Sequence, residues 1–257
     1  MSKIPYKKVK RWRKLPIQNI LLSYSRSANT WLRYCIEFLV KKPTWCRHNP
    51  HGICLPIGSV IDIGVDLECN PIINKSHGLG TSFDYEKKNV TKDTKMIFIL
   101  RNYKDVIPRH TSGTSEGWSE GKKDGKRILR DNYMEKTYGQ LKNEEDDYID
   151  CLNQYDSWDG EKLLINYEDI LGDLKTVLTK VLEFLGEGGL ENLDDFINNI
   201  DKHRQDSFKI YGDSWLNATK VKPIDLMSQE ERIQIDDFIK KNYPVLFEKY
   251  LSGYEEK

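Results

Sequence analysis

Three short apolar runs stand out along the chain: Ile17–Tyr24, Met96–Leu100 and Lys162–Asn166. Each is bounded by polar residues, as in strands of a sheet covered on both faces. Elsewhere the apolar positions change period. Leu32, Cys35, Ile36, Leu39 and Val40 follow the i, i+3, i+4, i+7, i+8 spacing of one helix face, and Leu178, Val181, Leu182 and Leu185 repeat it ahead of Gly186, a plausible stop. The run SQEE at 228–231 is a capping-box pattern before Ile233 and Phe238, and Pro244 ends or kinks that helix. Strands alternating with helices predict the α/β class, a single domain with a central parallel sheet flanked by helices. Two stretches show neither period. Residues 41–74 carry Pro43, Pro50, Pro56 and Pro71, and residues 111–147 are rich in Gly, Lys and Asp. Both are expected to be long loops, which are uncommon unless functional or mobile.

Composition narrows the class. A chain of 257 residues with 38% hydrophobic residues can build one sizeable packed domain, expected over 17–257 behind a basic segment at 1–16. Forty basic and forty acidic residues cancel, so no global field draws the protein to nucleic acid or to a membrane. The local charge runs, Lys3 to Lys14 and NEEDDYID at 143–150, are expected to be solvated surface. No stretch is long enough to span a bilayer, and the basic N-terminus lacks the apolar core of a signal peptide. Five cysteines, an odd number, fit unpaired thiols in a reducing cytoplasm.

In parallel sheets ligands gather outside the carboxyl ends of the strands. There the sequence reads SRSANT after the first run, RNYKDVIPRH after the second and YED after the third. Small polar residues and a cation between a strand and a helix suit an anion, because a helix N-terminus offers unpaired N–H groups and a positive dipole end. The bland alternative is an ordinary N-cap by Ser27, Asn29 or Thr30, with Arg26 on the surface. The turn has no glycine, which excludes the glycine-rich loops of nucleoside-triphosphate and dinucleotide sites. Trp31 is well placed for a flat base to stack on its indole. A second cluster, Cys46, His48, His51 and Cys54, has ligand types that suit zinc, but its spacing matches no finger pattern; a loop near a binding pocket is the simpler reading.

The segment SYSRSANTWLRYCIEFL, residues 23–39, resembles the 5′-phosphosulfate loop of sulfotransferases that use 3′-phosphoadenosine 5′-phosphosulfate (PAPS), commonly Y-P-[KR]-S-G-[NT]-T-W. Tyr24, Arg26, Ser27, Asn29, Thr30 and Trp31 match, with Ser25 in place of proline and Ala28 in place of glycine. MIFILRNYKDVIPRH at 96–110 is similar to the family's 3′-phosphate segment. Arg101, Asn102, Lys104, Asp105 and Val106 match; Tyr103 replaces proline and Arg109 replaces the usual serine. Without the resemblance, Arg101 would be read as half of a surface ion pair. KLLINYEDILGDL resembles the strand, Y-E-D-L turn and helix of the family, with Glu168 and Asp169 as capping residues. NKSHGLG at 74–80 is similar to the K-T-H-L-P segment that carries the catalytic histidine. FKIYGDSW at 208–215 keeps a lysine, Lys209, but not the R-K-G of the family's closing segment.

The resemblance implies a P-loop-like sulfotransferase fold and transfer of a sulfuryl group from PAPS, releasing PAP, to a hydroxyl or amine of a small molecule or glycan. It implies His77 as general base, ahead of His48, His51, His110 and His203, with Lys75 and Arg26 as cations at the reacting centre. Arg26 would be an electrophile rather than an acid, since a guanidinium does not release its proton. Ser27, Ala28, Asn29 and Thr30 would cradle the 5′-phosphosulfate, Trp31 and Tyr167 would hold adenine, and Arg101 and Arg109 would hold the 3′-phosphate, with Lys209 beside them. No metal is called for. Two other readings stand: a catalytically inactive relative that binds a nucleotide or another anion, and a small-molecule kinase. Oligomeric state is left open by the sequence.

Overall fold

In the computed structural model the chain is described at residues 12, 15–46, 55–78, 90–111, 121–123, 126–129, 132–142, 144, 147–210 and 222–256. Five parallel strands form the central sheet in the order β2-β3-β1-β4-β7: β1 (Ile17–Ser23), β2 (Thr44–Trp45), β3 (Ile73–Ser76), β4 (Val90–Leu100) and β7 (Lys162–Asn166). β5 (Gly121–Lys123) and β6 (Lys126–Ile128) make a separate antiparallel hairpin. The helices are α1 (Asn29–Val40), α2 (Tyr103–Thr111), α3 (Tyr133–Gly139), α4 (Tyr148–Asp156), α5 (Tyr167–Gly172), α6 (Leu174–Leu185), α7 (Leu193–Asn198), α8 (Ile200–Phe208) and α9 (Gln229–Asn242).

Alternation along the strands divides the core in two. Ile20, Leu22, Met96, Phe98 and Leu100 pack with Ile149 and Leu152 of α4 and with Ile235 and Ile239 of α9. Leu21, Ile97, Ile99 and Ile165 pack with Leu32 and Ile36 of α1, Leu178 and Val181 of α6 and Phe196 of α7. A sheet covered on both faces explains why these strands read as continuous apolar runs rather than alternating ones.

The expected helix ends are present. Gly186 closes α6 at φ 68°, and at the start of α9 Ser228 and Glu231 exchange side chain-to-backbone hydrogen bonds in a capping box. The expected loops are partly wrong. The 41–74 stretch holds β2, the start of β3 and a 3₁₀ turn at Ile57–Ser59; the 111–147 stretch holds the hairpin and α3. β4 starts at Val90 rather than at its apolar run, with a register irregularity against β1. The acidic run at 143–150 does not stay solvated: Asp147, Tyr148 and Ile149 are buried where α4 begins. Trp12 of the basic segment is also buried, 5.7 Å from the Trp45 ring.

Two buried charge networks tie segments to this frame. The Glu37 carboxylate of α1 accepts from Thr44 N (2.9 Å), the Thr44 hydroxyl (2.5 Å), Ile57 N (3.1 Å) and Gly58 N (2.9 Å), and Arg33 lies one turn away. Burial pushes this carboxyl above the usual range, opposed by Arg33 and by the donated hydrogen bonds. On the other face Lys104 Nζ contacts both Asp236 oxygens (2.7 and 3.0 Å) and the Tyr254 carbonyl (2.6 Å), which fastens the C-terminal residues to α2.

Candidate functional site

Four neighbouring strands, β3, β1, β4 and β7, end on one edge of the sheet, and the residues that follow them form the site. After β1 the chain turns sharply enough to put two non-glycine residues in the left-handed region, Arg26 at φ 71° and Ala28 at φ 59°. Ala28 is the N-cap of α1 and supplies no side-chain cap, and the first turn holds no acidic residue. Ser27, Asn29 and Thr30 do not serve as the N-cap, so among the described residues no side chain caps the first N–H groups of α1. Ser27 Oγ is buried and has no hydrogen-bond partner among the described residues. A buried unpaired donor costs about 1–3 kcal/mol, which a bound anion would recover.

The cost of the left-handed Ala28 gives a direct expectation. A Cβ there costs about 1–2 kcal/mol, partly offset because glycine is freer in the unfolded chain. Ala28→Gly should raise the melting temperature by about 1–3 °C in thermal unfolding. A lower melting temperature would show that the turn is held without strain.

Arg101 follows β4 and is 5% exposed. Its Nη1 donates to the Arg26 carbonyl, its Nη2 pairs with Asp105, and its guanidinium lies 3.8 Å from the centre of the Tyr167 ring. It is therefore no surface ion pair. It joins three strand ends, and its Nε is left without a partner among the described residues. Tyr167 opens α5, where Glu168 accepts from Tyr254 Oη (3.0 Å) and Asp169 accepts from Asn166 Nδ2 (3.1 Å); neither acid caps the helix as expected.

His77 follows β3. Its Nδ1 lies 2.8 Å from the Ser23 carbonyl, and a carbonyl can only accept, so Nδ1 carries the hydrogen. In the neutral ring Nε2 is then the basic nitrogen. Ser23 also accepts, through its hydroxyl, from Asn29 Nδ2 (3.0 Å), so a single β1 residue orients both the histidine and the helix start. Asn29 Oδ1 has no partner among the described residues. Lys75 is buried in β3, opposite Leu21.

The other expected residues are less close-knit. Trp31 stacks on Tyr34 at 5.5 Å and also approaches Phe196, so part of the indole surface belongs to the core. Arg109 lies two residues before the end of α2. Lys209 pairs with Asp206 at the end of α8, an exposed contact that no hydrogen bond links to the turn. Of the competing histidines, His203 is structural: Tyr34 Oη lies 3.0 Å from its Nδ1, its ring stacks on Phe196, and burial lowers its pKa below the ordinary histidine range. His48, His51 and Cys54 lie outside the described residues, and Cys46 is a buried thiol. No group of metal-ligating side chains occurs among the described residues.

Sequence reasoning missed Ser23, Tyr148 and Cys151. Their partners lie far along the chain, and no spacing announces them. Asp105 was read only as a match to the family's 3′-phosphate segment; its partner Arg101 stands in the link before α2, and the sequence reading did not pair the two.

The family model described as the sulfotransferase domain matches residues 70–241, a range that starts after the β1–α1 turn. Among curated proteins no sequence matches this chain. Among solved structures the chain is similar to mouse sulfotransferase SULT7A1 complexed with PAP. That likeness has a TM-score of 0.54 at 17% identity and covers 96% of this chain and 92% of that one. At that identity the likeness concerns the fold.

Proposed function

The chain belongs to the sulfotransferase domain family, and from that premise we propose that it transfers the sulfuryl group of PAPS to a hydroxyl or amine of a small-molecule or glycan acceptor, with His77 as the base. The observation that carries the donor assignment is the convergence of unpaired buried donors, Ser27 Oγ and Arg101 Nε, on a turn whose helix N-terminus has no side-chain cap. A divalent anion at each end of one ligand fits that donor set, and the absence of acid from the first turn removes a competitor for it.

When bound, PAPS would supply the sulfuryl group and leave as PAP. The roles of this chain follow from where its groups sit. His77 Nε2 takes the acceptor's proton as the new bond to sulfur forms. The turn N–H groups, Ser27 and Arg26 meet the charge that grows on the departing phosphate oxygen. Arg101 joins the turn to the α2 start and, with Arg109, provides cationic charge for the 3′-phosphate. Tyr167 and Trp31 border the base. Catalysis in such an arrangement is mostly positioning and charge stabilisation.

The described residues contain no helix long and apolar enough to cross a membrane. Cys35, Cys46, Cys69 and Cys151 are thiols rather than disulfides, which supports a reducing, cytoplasmic setting. Calorimetric titration with PAP, run beside AMP, ADP and ATP, tests the donor. Micromolar binding selective for PAP is expected. No PAP binding, or a preference for ATP once Mg²⁺ is added, would overturn the proposal.

A further inference from the structure

β3 and β4 are not neighbours in the sheet; β1 lies between them. His77 and Arg101, which follow them, therefore share no ladder that would fix one against the other. α4 supplies a link. Tyr148 Oη donates to the Arg101 carbonyl at 2.8 Å, and Cys151 Sγ donates to the His77 carbonyl at 2.9 Å. The two donors stand three apart, on one face of one helix. Both side chains are buried, so water does not compete for these carbonyls. Burial pushes the Tyr148 hydroxyl far above the ordinary tyrosine range and keeps it a donor. The Tyr148 ring also meets Tyr24 edge-on at 5.5 Å and Tyr103 at 6.1 Å, so the residue after β1 is braced by the same side chain.

We infer that α4 is a positioning clamp, in which Tyr148 and Cys151 hold the carbonyls of Arg101 and His77 and so set the base against the anion-binding cation. The inference rests on the roles proposed above for those two residues. A carbonyl is rigid with its own Cα, so pinning it restricts the direction in which the side chain leaves the backbone. Tyr148 thus governs the placement of the guanidinium over Tyr167. Cys151 governs the approach of the imidazole to the Ser23 carbonyl, and with it the tautomer. Neither residue touches substrate in this account; both act through another.

The test separates the two arms and needs no acceptor. Tyr148→Phe keeps the ring and loses the donor. PAP affinity, read by calorimetry, should fall about 3–10-fold, with the His77 spectrum unchanged. Cys151→Ala should leave PAP affinity within about twofold of wild type. In ¹⁵N spectra of histidine-labelled protein, with His77→Gln to assign the resonance, the Nδ1-protonated fraction of His77 should fall. Cys151→Ser restores a donor and should restore that fraction. The clamp is overturned if neither variant changes its own readout, or if each loses both in step with its melting temperature, as generic packing damage would. Failure of the wild type to bind PAP would strike the proposed function instead, and the tautomer of Cys151→Ala would still decide the clamp.

Discussion

His77→Ala should lower turnover by about 10²–10⁴-fold with any acceptor the wild type uses, while PAP affinity stays within about threefold. The size follows from the proposed role, since a positioned base contributes that much. Nδ1 is committed to the Ser23 carbonyl at 2.8 Å, so Nε2 is the nitrogen left to accept a proton. The small effect on affinity follows from position. His77 follows β3, while the donors assigned to phosphate lie after β1 and β4. Stability should change little, by about 1 kcal/mol for the lost hydrogen bond of a half-buried side chain. Steady-state kinetics and calorimetry on one preparation check both halves. Near-full turnover with PAP binding intact would remove His77 from the base role.

Arg101→Met should have two effects that a second substitution pulls apart. In the folded protein Arg101 holds the Arg26 carbonyl and faces Asp105, which is 5% exposed. Removing the cation breaks a buried ion pair, which costs about 3–5 kcal/mol. The melting temperature should drop by roughly 6–15 °C for a chain of this size. PAP affinity should fall by more than about 100-fold, since one loss removes a phosphate cation and the brace on the turn. In Arg101→Met with Asp105→Asn the buried carboxylate charge is gone too, so most of the stability returns while the affinity does not. If affinity returned along with stability, Arg101 would be a structural residue rather than a phosphate ligand.

The site and the sheet were legible to different depths. The β1–α1 turn could be read because a long apolar run, six polar residues and an amphipathic helix follow one another without interruption. β2 and β3 could not. β2 has two residues, and β3 is INKS, buried along its whole length yet with one apolar side chain, so neither alternation nor a hydrophobic run betrays it. Its polar letters are there because the strand ends in the site: Lys75 and Ser76 lead directly to His77. α1 was read from its apolar face, which left Arg33 and Glu37 unassigned although both are fully buried. A buried ion pair on an apolar stripe has no periodic signature. The bonds from Tyr148, Cys151 and Ser23 join positions 47, 74 and 54 residues apart, distances over which a single sequence carries no pairing signal.

The Glu37 carboxylate gathers backbone donors from both sides of residues 46–55: Thr44 before them, Ile57 and Gly58 after. One side chain thus ties Thr44 of β2 and the 3₁₀ turn at Ile57–Ser59 to α1. A chain anchored on both flanks tolerates changes of length between the anchors, because the entropy of closing a loop grows slowly with its length, by about 0.6 kcal/mol per doubling. Sequence exchanged between positions 46 and 55 should therefore leave the melting temperature close to wild type as long as Glu37 keeps its three backbone donors. In this chain the anchorage of both flanks rests on one buried acid.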